Sequence, residues 1–476
     1  MSNEYDVWQH ISGYLSTSEL RGLMSVNYAL YDMAMDAIYR EVSWHHLDAD
    51  MVKSLTCLSD PRVAKRVHKL DIRLWFLRFQ FDECLRICSS VKAWKTDVRR
   101  KPTTVETQLA ALLKGGPDVT VDAMQCALEK LRELYECVLD IRWSPLPVGR
   151  VLRSLFHTLS QNNLRKLDLR FHDFDVVDEL IRIPLKSLRE LSLEFTCSPE
   201  LRHEVSVVRL TQFANRVGPH LTMFSLSTPP QFDYSAFFAN LGEFSRLHKL
   251  VLRVALSHQI SSESPLLSFL RAVSPHLTTF EFHPRFSYLS DPLFFTSLRH
   301  TEDVLSDLQV LTLSNVSDFD LTLSLLRRSQ GTISELTVKS HLLEFSQVKA
   351  LVLAATDCSH NALRALHVEV QVLSPAVLDF IARCLPCLEN LHILYKTVCG
   401  GHLDPNDHET YTSADGAVSI DGFTQPMLSS PPRYQDWGLR TIRVWEGDVH
   451  DEITTADEEK IIHSLAWAIP GLMLTQ

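Results

Sequence analysis

One set of residues in the chain has a spacing that could hold a metal ion. Cys384 and Cys387 are separated by two residues, and so are Cys399 and His402. Two such pairs supply the thiolate and imidazole ligands of a tetrahedral Zn²⁺ site. The first pair, however, lies in RCLPCLENLHIL, where a helix is expected to end and a strand to begin, so these cysteines also suit positions that any apolar side chain can fill. We favour packing for the cysteines and expect no metal and no cofactor.

No other segment favours catalysis. The patterns Gly-x-x-x-x-Gly-Lys, Gly-x-Ser-x-Gly and His-Glu-x-x-His are absent from the sequence, so it lacks these signatures of nucleotide binding, serine hydrolysis and zinc proteolysis. The histidine-containing segments HHLDAD at His45 and HDE at His450 are isolated from other clusters at ligand spacing, and we expect both on the surface. We therefore expect a protein that is not an enzyme.

Charge and composition limit the classes of partner. The chain has 47 basic and 58 acidic residues, a net charge of -11, so we expect no nucleic-acid partner. The first residues do not have the pattern of a signal peptide, and no apolar run approaches the length of a membrane span, so we expect no membrane partner. The 10 cysteines are scattered, which is typical of reduced thiols. These features favour a cytoplasmic or nuclear protein.

A repeated pattern predicts the elements that position these residues. The pattern Leu-x-x-Leu-x-Leu, with other large apolar residues sometimes replacing Leu, begins at Leu164, Leu188, Leu221, Leu247, Leu277, Leu308, Ile333, Leu363, Leu388 and Leu439. Successive copies start 24 to 33 residues apart, except for a final interval of 51 residues. An earlier copy begins at Val67, and the segment LRELYECVLDIRW at Leu131 holds another, degenerate copy. The end of each copy alternates apolar and polar residues like a half-buried strand, whereas 265–274 and 375–385 have helical spacing. The repeat predicts an α/β fold, in which stacked units form a curved parallel sheet backed by helices.

The polar residues that alternate with this apolar ladder are candidates for binding a partner. They should project from the concave face of the sheet, away from the core. The candidates are Lys166, Asp168, Arg170, Glu190, Glu194, Lys249, Arg253, Glu281, His283, Glu335, Lys339, His367, Glu369, His392, Arg443 and Trp445. Six are basic and six are acidic, and a mixed surface of this kind suits a protein partner better than a phosphate polymer. The alternative for each residue is that it is only solvated or covered by a loop.

Two segments interrupt the repeat. Residues 91–118 and 400–437 contain few periodic apolar positions and are rich in turn-forming or charged residues, which predicts irregular loops. Segment 400–437 falls before the last copy and accounts for the long final interval. Because insertions into a repeat array often fall on the binding face, this loop is an alternative to the concave face as the surface that recognises a partner.

The first fifty residues differ from the repeats. Apolar residues recur at helical spacing on both sides of a break at 16–19, and Ser16 to Ser18 can cap the helix that follows. The landmarks are Ile11, Tyr14, Leu15, Ser18, Glu19, Leu20, Val26 and Tyr39. With these landmarks, residues 6–44 resemble the F-box found at the N-terminus of many fungal F-box proteins. The later repeats resemble irregular leucine-rich repeats. We expect an F-box-like helical module at 1–50 and a leucine-rich-repeat-like solenoid at 51–476.

The resemblance implies the substrate-recognition subunit of a cullin-type (Skp1-cullin-F-box) ubiquitin ligase. Such a subunit binds a Skp1-like adaptor, and through it the cullin scaffold, by its N-terminal helices, while the repeats bind an unknown target protein. The implied adaptor-binding residues are Val7, Trp8, Ile11, Leu15, Leu20 and Leu23. The family usually opens with Leu-Pro, where this chain has Glu4 and Tyr5. The alternative is therefore a protein-interaction scaffold outside any ligase, with a degenerate F-box.

Overall fold

The chain divides into two compact units, which are described separately. One is formed by Met1–Pro229 and Asn240–Arg246, and the other by Pro230–Ala239 and Leu247–Gln476. The structure is a computed structural model that describes residues 2–77, 104–142, 149–172, 175–196, 203–229, 234–255, 264–285, 292–316, 318–329, 331–356, 363–400, 420–428, 433–446, 455–470 and 472–474. Within these residues, no helix combines the length and the apolar composition that crossing a membrane requires.

In the first unit, the described residues form six parallel strands that pair in chain order. The strands are β1 (Glu41–Trp44), β2 (Lys69–Arg73), β3 (Glu136–Asp140), β4 (Lys166–Phe171), β5 (Glu190–Phe195) and β6 (Met223–Ser227). The helices are α1 (Ser2–Ser12), α2 (Thr17–Gly22), α3 (Tyr28–Tyr39), α4 (Ala49–Cys57), α5 (Pro61–Ala64), α6 (Thr104–Leu128), α7 (Gly149–Gln161), α8 (Asp175–Ile181) and α9 (His203–Val217).

Eight parallel strands, again paired in chain order, occur in the described part of the second unit. The strands are β7 (Lys249–Arg253), β8 (Thr279–Phe282), β9 (Val310–Ser314), β10 (Glu335–Leu343), β11 (Ala365–Leu373), β12 (Asn390–Val398), β13 (Thr441–Glu446) and β14 (Met473–Leu474). The helices are α10 (Ser235–Ala239), α11 (Pro265–Val273), α12 (Pro292–His300), α13 (Phe319–Arg328), α14 (Phe345–Thr356), α15 (Pro375–Cys384), α16 (Ile420–Met427) and α17 (Thr455–Ala468).

The predicted α/β class, with a parallel sheet backed by helices, is confirmed. Each of the twelve copies of the apolar pattern contains a strand, from β2 to β13. In β4, for example, Leu167, Leu169 and Phe171 are fully buried, and the residues between them are half-buried. The helices expected at 265–274 and 375–385 are α11 and α15, and each begins with a proline. The apolar ladder therefore marks the buried face of every one of these strands.

Backbone hydrogen bonds hold neighbouring strands in one repeated register. The carbonyl of Arg165, just before β4, accepts the N–H groups of Arg189 at 2.8 Å and Glu190 at 2.9 Å. In the second unit the carbonyl of Ser334, before β10, accepts those of Arg364 at 2.7 Å and Ala365 at 3.0 Å. Because the same pair of bonds recurs from strand to strand, residues at the same position of the repeat align in rows across the sheet.

The predicted boundary at residue 50 does not coincide with a boundary between compact units. Strand β1 lies within the first fifty residues and pairs with β2, from Glu41 opposite Lys69 to Trp44 opposite Ile72. The Trp44 side chain is fully buried, and its Nε1 donates to Ser54 Oγ at 3.2 Å. The sequence did not predict this strand because EVSW is too short to contain a whole copy of the repeat pattern.

The loop predicted at 91–118 is wrong for its second part, and 91–103 lies outside the described residues. Residues 104–118 belong to α6, which continues to Leu128 with a kink at Gly116. Gly116 has a φ of 80°, a left-handed conformation that favours glycine. Pro117 follows it and suits the start of the helical segment after the kink. The GGP sequence therefore bends a helix, although such a sequence usually indicates a loop.

The exposed loop predicted at 400–437 is also wrong where the structure describes it. Residues 420–427 form α16, in which Phe423 and Met427 are fully buried. Further along, Tyr434 and Trp437 are each only 6% exposed. The Trp437 indole N–H donates to the Leu385 carbonyl at 3.1 Å, and the Tyr434 hydroxyl donates to Asp379 Oδ1 at 2.9 Å. These apolar residues follow no regular period, so the pattern-based prediction missed a packed segment.

We predict that replacing Trp437 destabilises the second unit, because its burial and its indole hydrogen bond are both lost. Trp437→Ala should lower the free energy of unfolding by about 3 to 5 kcal/mol. Trp467→Ala is the matched control, since Trp467 is 51% exposed, and should change it by less than about 0.5 kcal/mol. Denaturant unfolding of the full chain measures both. Equal, small effects of the two substitutions would contradict the packing described for 433–437.

Candidate partner-binding surfaces

The three N-terminal helices form a small cluster with its own apolar core. The predicted cap is confirmed: the Ser16 hydroxyl accepts the N–H of Glu19 at 3.3 Å, and the Ser16 N–H donates back to Glu19 Oε2 at 2.7 Å. Leu20, Leu30 and Ala34 make up the buried core, and the side chains that pack against it are Trp8, Leu15, Leu23, Met24 and Ala37. The cap at Ser16 fixes where α2 begins, and Leu20, in the first turns of α2, then lies in this core.

Arg66 connects α3 to the segment that follows α5. Its guanidinium forms ion pairs with Asp32 and Asp36, one turn apart on α3, and donates to the Asp32 carbonyl at 2.9 Å. The three acceptors offset the burial of the guanidinium and raise its pKa above the ordinary value. The N-terminal helices therefore pack on the rest of the first unit through α3.

Exposed apolar side chains are concentrated on these helices. Of the fourteen large apolar residues that are exposed within the described part of the chain, six lie between residues 7 and 31. Val7 and Ile11 lie one turn apart on α1 and are 56% and 38% exposed, and Tyr14, in the turn after α1, is 79% exposed. The other three are Val26, Tyr28 and Tyr31, at 60%, 78% and 42%. Single exposed apolar residues are ordinary, but a concentration of them is typical of a protein-binding surface.

The structure divides the six predicted adaptor-binding residues into two groups. Val7 and Ile11 are exposed and available to a partner. Trp8, Leu15 and Leu23 are half-buried and pack against the core of the N-terminal helices. The assignment of Leu20 to a binding surface is corrected, because Leu20 is only 5% exposed and belongs to that core. Helical spacing showed that all six lie on apolar positions, but it could not tell the inner face from the outer one.

On the polar face of the first unit, charges of opposite sign alternate in a row across the strands. Glu41, Lys69, Glu136, Lys166 and Glu190 occupy aligned positions on β1 to β5. Lys69 Nζ lies 3.3 Å from Glu41 Oε2, and Lys166 Nζ lies 3.1 Å from Glu136 Oε1. The hydrogen bond to Glu136 raises the pKa of Lys166. Lys166 is therefore already paired within the sheet.

In a second group of charged residues on this face, each arginine contacts two carboxylates. Arg142, which follows β3, contacts Asp140 at 2.6 Å and Glu194 at 3.1 Å. Arg170 lies 3.0 Å from Asp168 and 3.6 Å from Glu194. The hydrogen bonds that Arg142 donates to Asp140 and Arg170 donates to Asp168 raise the pKa of both guanidiniums. The structure thus brings Asp168, Arg170 and Glu194 together as predicted, but as partners of one another.

Several members of these rows are not among the residues predicted from the sequence. Lys69, Glu136 and Asp140 lie on β2 and β3, and Arg142 follows β3. The signal was present, because the copies at Val67 and Leu131 already predicted these strands. Extending the alternation to the copy at Val67 would have placed Lys69 on the polar face, and starting the degenerate copy at Leu134 would have placed Glu136 and Asp140 there as well.

At the start of the second unit, Lys249, Glu281 and His283 form one charged cluster. Lys249 Nζ lies 2.5 Å from Glu281 Oε1, across the pair formed by β7 and β8. A hydrogen bond from His283, together with Lys249, lowers the pKa of Glu281 to about 2. Glu281 is therefore a carboxylate at neutral pH, and its charge is largely balanced inside the cluster.

Further along the second unit the polar face becomes aromatic. His367 on β11 and His392 on β12 are directly opposite each other, and their ring centroids are 5.4 Å apart. The Trp445 ring on β13 lies 5.4 Å from His367 and 6.0 Å from His392. Two strand spacings are about 9.6 Å, so the indole must lean across β12 to reach His367. The three rings form a half-buried aromatic cluster.

Both imidazoles of this cluster are neutral at pH 7. Burial, with the nearby charge of Lys339, lowers the pKa of His367 to about 4. Burial and the neighbouring Arg443 lower the pKa of His392. A neutral aromatic surface containing a tryptophan suits the centre of a protein interface.

The remaining predicted partner-binding residues lie on the same polar faces. Glu190 is half-buried and opposite Lys166. Lys339 and Glu369 are half-buried on β10 and β11, and the exposed residues are Arg253, Glu335 and Arg443. All sixteen residues therefore lie on the face opposite the apolar core, although whether any of them binds a partner remains a prediction.

The four residues with zinc-site spacing are only partly described. Cys384 ends α15 and is half-buried, Cys387 is exposed, and Cys399 is half-buried after β12. The packing expected for Cys387 is therefore wrong, because its side chain faces solvent. His402 and His450 lie outside the described residues, while His45 is half-buried with its Nε2 2.9 Å from Asp71 Oδ2. Within the described residues, no three metal-ligating side chains are grouped as a metal site requires.

Compared with models of known protein families the chain matches none, and its sequence is not similar to that of any curated protein.

We predict that the Glu281 cluster stabilises the second unit in a pH-dependent way. The lowered pKa of Glu281, about 2 against an ordinary 4.5, means that its contribution is complete above pH 4.5 and is lost as the pH falls toward 2. Glu281→Gln should cost roughly 1 to 2 kcal/mol at pH 7 after solvent screening of Lys249. Thermal unfolding from pH 7 to pH 3 should show the difference from the unsubstituted chain shrinking below pH 4.5.

The control is Glu335→Gln, because Glu335 is exposed and forms no ion pair with any described residue. It should have little effect at any pH. A deficit of Glu281→Gln that persists unchanged to pH 3 would contradict the assignment of a strongly lowered pKa.

Proposed function

We propose that the chain is the substrate-recognition subunit of a cullin-type ubiquitin ligase, in which the N-terminal helices bind a Skp1-like adaptor. The observation that carries this proposal is the concentration of exposed apolar side chains on α1 to α3 and the turns between them, above all Val7, Ile11 and Tyr14. These side chains lie in the segment that resembles an F-box. A helical surface of this composition needs a partner with a matching apolar surface.

The arrangement of α1 to α3 supports the proposal. Trp8, Leu15 and Leu20 stabilise the cluster from inside, and Arg66 attaches α3 to the rest of the unit. The outward residues are therefore presented on a supported surface, which reduces the entropy that binding must remove. An adaptor bound here would carry the cullin scaffold, as the resemblance to F-box proteins implies.

The polar faces of the sheets support the second half of the proposed role, which is capture of a target protein. The repeating strand and helix units are similar to leucine-rich repeats of an irregular kind. The basic residues in the charged rows of the first unit are already paired with carboxylates of the sheet, so the aromatic cluster of His367, His392 and Trp445 is the stronger candidate for target contact. Aromatic residues contribute more binding energy than paired surface charges.

In this proposal the chain itself is not a catalyst. Its contribution to ubiquitin transfer is to hold a lysine of the target close to the charged conjugating enzyme, which replaces a bimolecular encounter by one within the complex. Target identity would then depend on the polar faces, and ligase assembly on the N-terminal helices.

The alternative is a leucine-rich-repeat scaffold whose N-terminal helices do not bind the adaptor. It is motivated by Glu4 and Tyr5, which stand where F-box proteins usually have Leu-Pro. Adaptor binding separates the two functions, because target capture by the sheet is common to both.

We predict that Val7→Asp weakens binding of a Skp1-like adaptor by about a hundredfold or more, because an unpaired carboxylate buried at an interface costs several kcal/mol. Binding can be measured by calorimetry with the purified full chain. Val208→Asp is the matched control, since Val208 is also 56% exposed but lies on α9. It should bind the adaptor like the unsubstituted chain.

Leu20→Asp should also lose adaptor binding, but for a different reason. Leu20 is part of the core of the N-terminal helices, so this substitution should melt α1 to α3, which circular dichroism detects. Full adaptor affinity of Val7→Asp, or no affinity of the unsubstituted chain, would favour the scaffold.

A further inference from the structure

The sheet of the first unit ends at β1, whose outer edge is open. Within the described residues, β2 is the only strand that pairs with β1. The Arg40 carbonyl, just before β1, accepts the Lys69 N–H of β2 at 3.0 Å. In a parallel pair every second residue of a strand bonds to its neighbour, and the register makes Val42 and Trp44 the next residues of β1 to do so. The residues between them point their backbone groups the other way.

Glu41 and Ser43 are the residues of β1 whose N–H and carbonyl groups point away from the sheet. None of these groups has a hydrogen-bond partner in the part of the chain that the structure describes. Both residues are exposed, whereas Val42 and Trp44 are buried. The sequence of β1, EVSW, contains neither proline nor lysine, with which edge strands are often protected. The edge can therefore form main-chain hydrogen bonds with a further strand.

The charge on the polar face indicates which side chain such a strand should carry. The row of alternating charges from β1 to β5 has two lysines and three glutamates, a net charge of -1: Glu41, Lys69, Glu136, Lys166 and Glu190. Glu41 ends this row at the open edge. Its side chain is 63% exposed, with Lys69 Nζ 3.3 Å away on the inner side. A basic residue opposite Glu41 on an added strand would continue the alternation and neutralise the row.

The contact of β4 with β5 shows how such a strand would pair. The Arg165 carbonyl, just before β4, accepts the Glu190 N–H of β5 at 2.9 Å, and Lys166 is directly opposite Glu190. Glu41 has the same position in β1 as Glu190 in β5, at the first residue of the strand. On a strand like β4, the N–H and the carboxylate of Glu41 would therefore meet a carbonyl and a lysine.

We propose that the edge of β1 binds an extended segment of another protein, which adds as a parallel strand and places a lysine or arginine opposite Glu41. Main-chain hydrogen bonds to Glu41 and Ser43 would supply affinity, and the ion pair with Glu41 would select the sequence. A second copy of this chain fits less well, because β1 itself contains no basic residue to place opposite Glu41. The site lies outside α1 to α3, so the proposal is independent of adaptor binding.

Peptides derived from β4 are the probes. One is the capped, fluorescently labelled segment 163–172, NLRKLDLRFH, and its matched control carries Lys166→Glu. In anisotropy titrations with the full chain, we expect the lysine peptide to bind at least about fivefold more tightly, because like charges at opposite positions destabilise a strand pair. Glu41→Lys in the full chain should reverse this preference.

Ser43→Pro separates strand addition from folding. The Ser43 N–H points away from β2, so this substitution keeps every hydrogen bond between β1 and β2 and should leave the melting temperature nearly unchanged. It should weaken binding of the lysine peptide by about tenfold or more. The control is Val42→Pro, which removes a hydrogen bond to β2 and should lower the melting temperature.

The site is contradicted if the unsubstituted chain does not bind the lysine peptide, or if Ser43→Pro binds it equally well. Equal affinity for the two peptides would contradict the role of Glu41. A dimer of the unsubstituted chain that Ser43→Pro abolishes, detected by analytical ultracentrifugation, would overturn the assignment to another protein and give the edge to a second copy.

Discussion

The hydrogen bonds between one carbonyl of each repeat and two N–H groups of the next are the interaction on which the rest of the structure depends. A single repeat offers one short strand and one helix, too little to bury its own apolar face. The Arg165 carbonyl, which accepts from Arg189 and Glu190, shows how a neighbour is fixed in register. With register fixed, buried leucines stack on one side of the sheet and polar residues form continuous rows on the other. Each candidate site on the sheets is a consequence of that alignment.

The rows differ because the residues placed at one position differ from repeat to repeat. Where charges alternate, as in Glu136 and Lys166, the basic residues of a row are paired within the sheet. Where His367 and His392 meet, burial keeps the imidazoles neutral and the row becomes aromatic. The pair of Arg165 and Arg189 is the opposite case, since like charges stand next to each other. The same backbone thus carries rows of paired charges, aromatic rings and adjacent like charges.

How much could be predicted from the sequence depended on periodicity. The apolar ladder placed strands β2 to β13 correctly, because a side chain such as Leu167 must be buried at the same point of every repeat. Features without a period were missed: Trp437 packs through an isolated contact with the Leu385 carbonyl, and Gly116 bends a helix where a loop was predicted. On the N-terminal helices, apolar spacing identified both Val7 and Leu20 but could not show that one faces solvent and the other the core. That distinction requires the packing of α1 and α2 on α3, which the period of a single helix does not contain.

The central claim is that the N-terminal helices offer a surface for an adaptor, while the sheets are left for other partners. Hydrogen–deuterium exchange of the full chain, with and without a purified Skp1-like adaptor, tests it most directly. Binding through Val7 and Ile11 predicts slower exchange in α1 to α3 when the adaptor is present, with the strands β2 to β13 unchanged. Exchange that is the same throughout α1 to α3 with and without saturating adaptor, or protection confined to the strands, would contradict the claim.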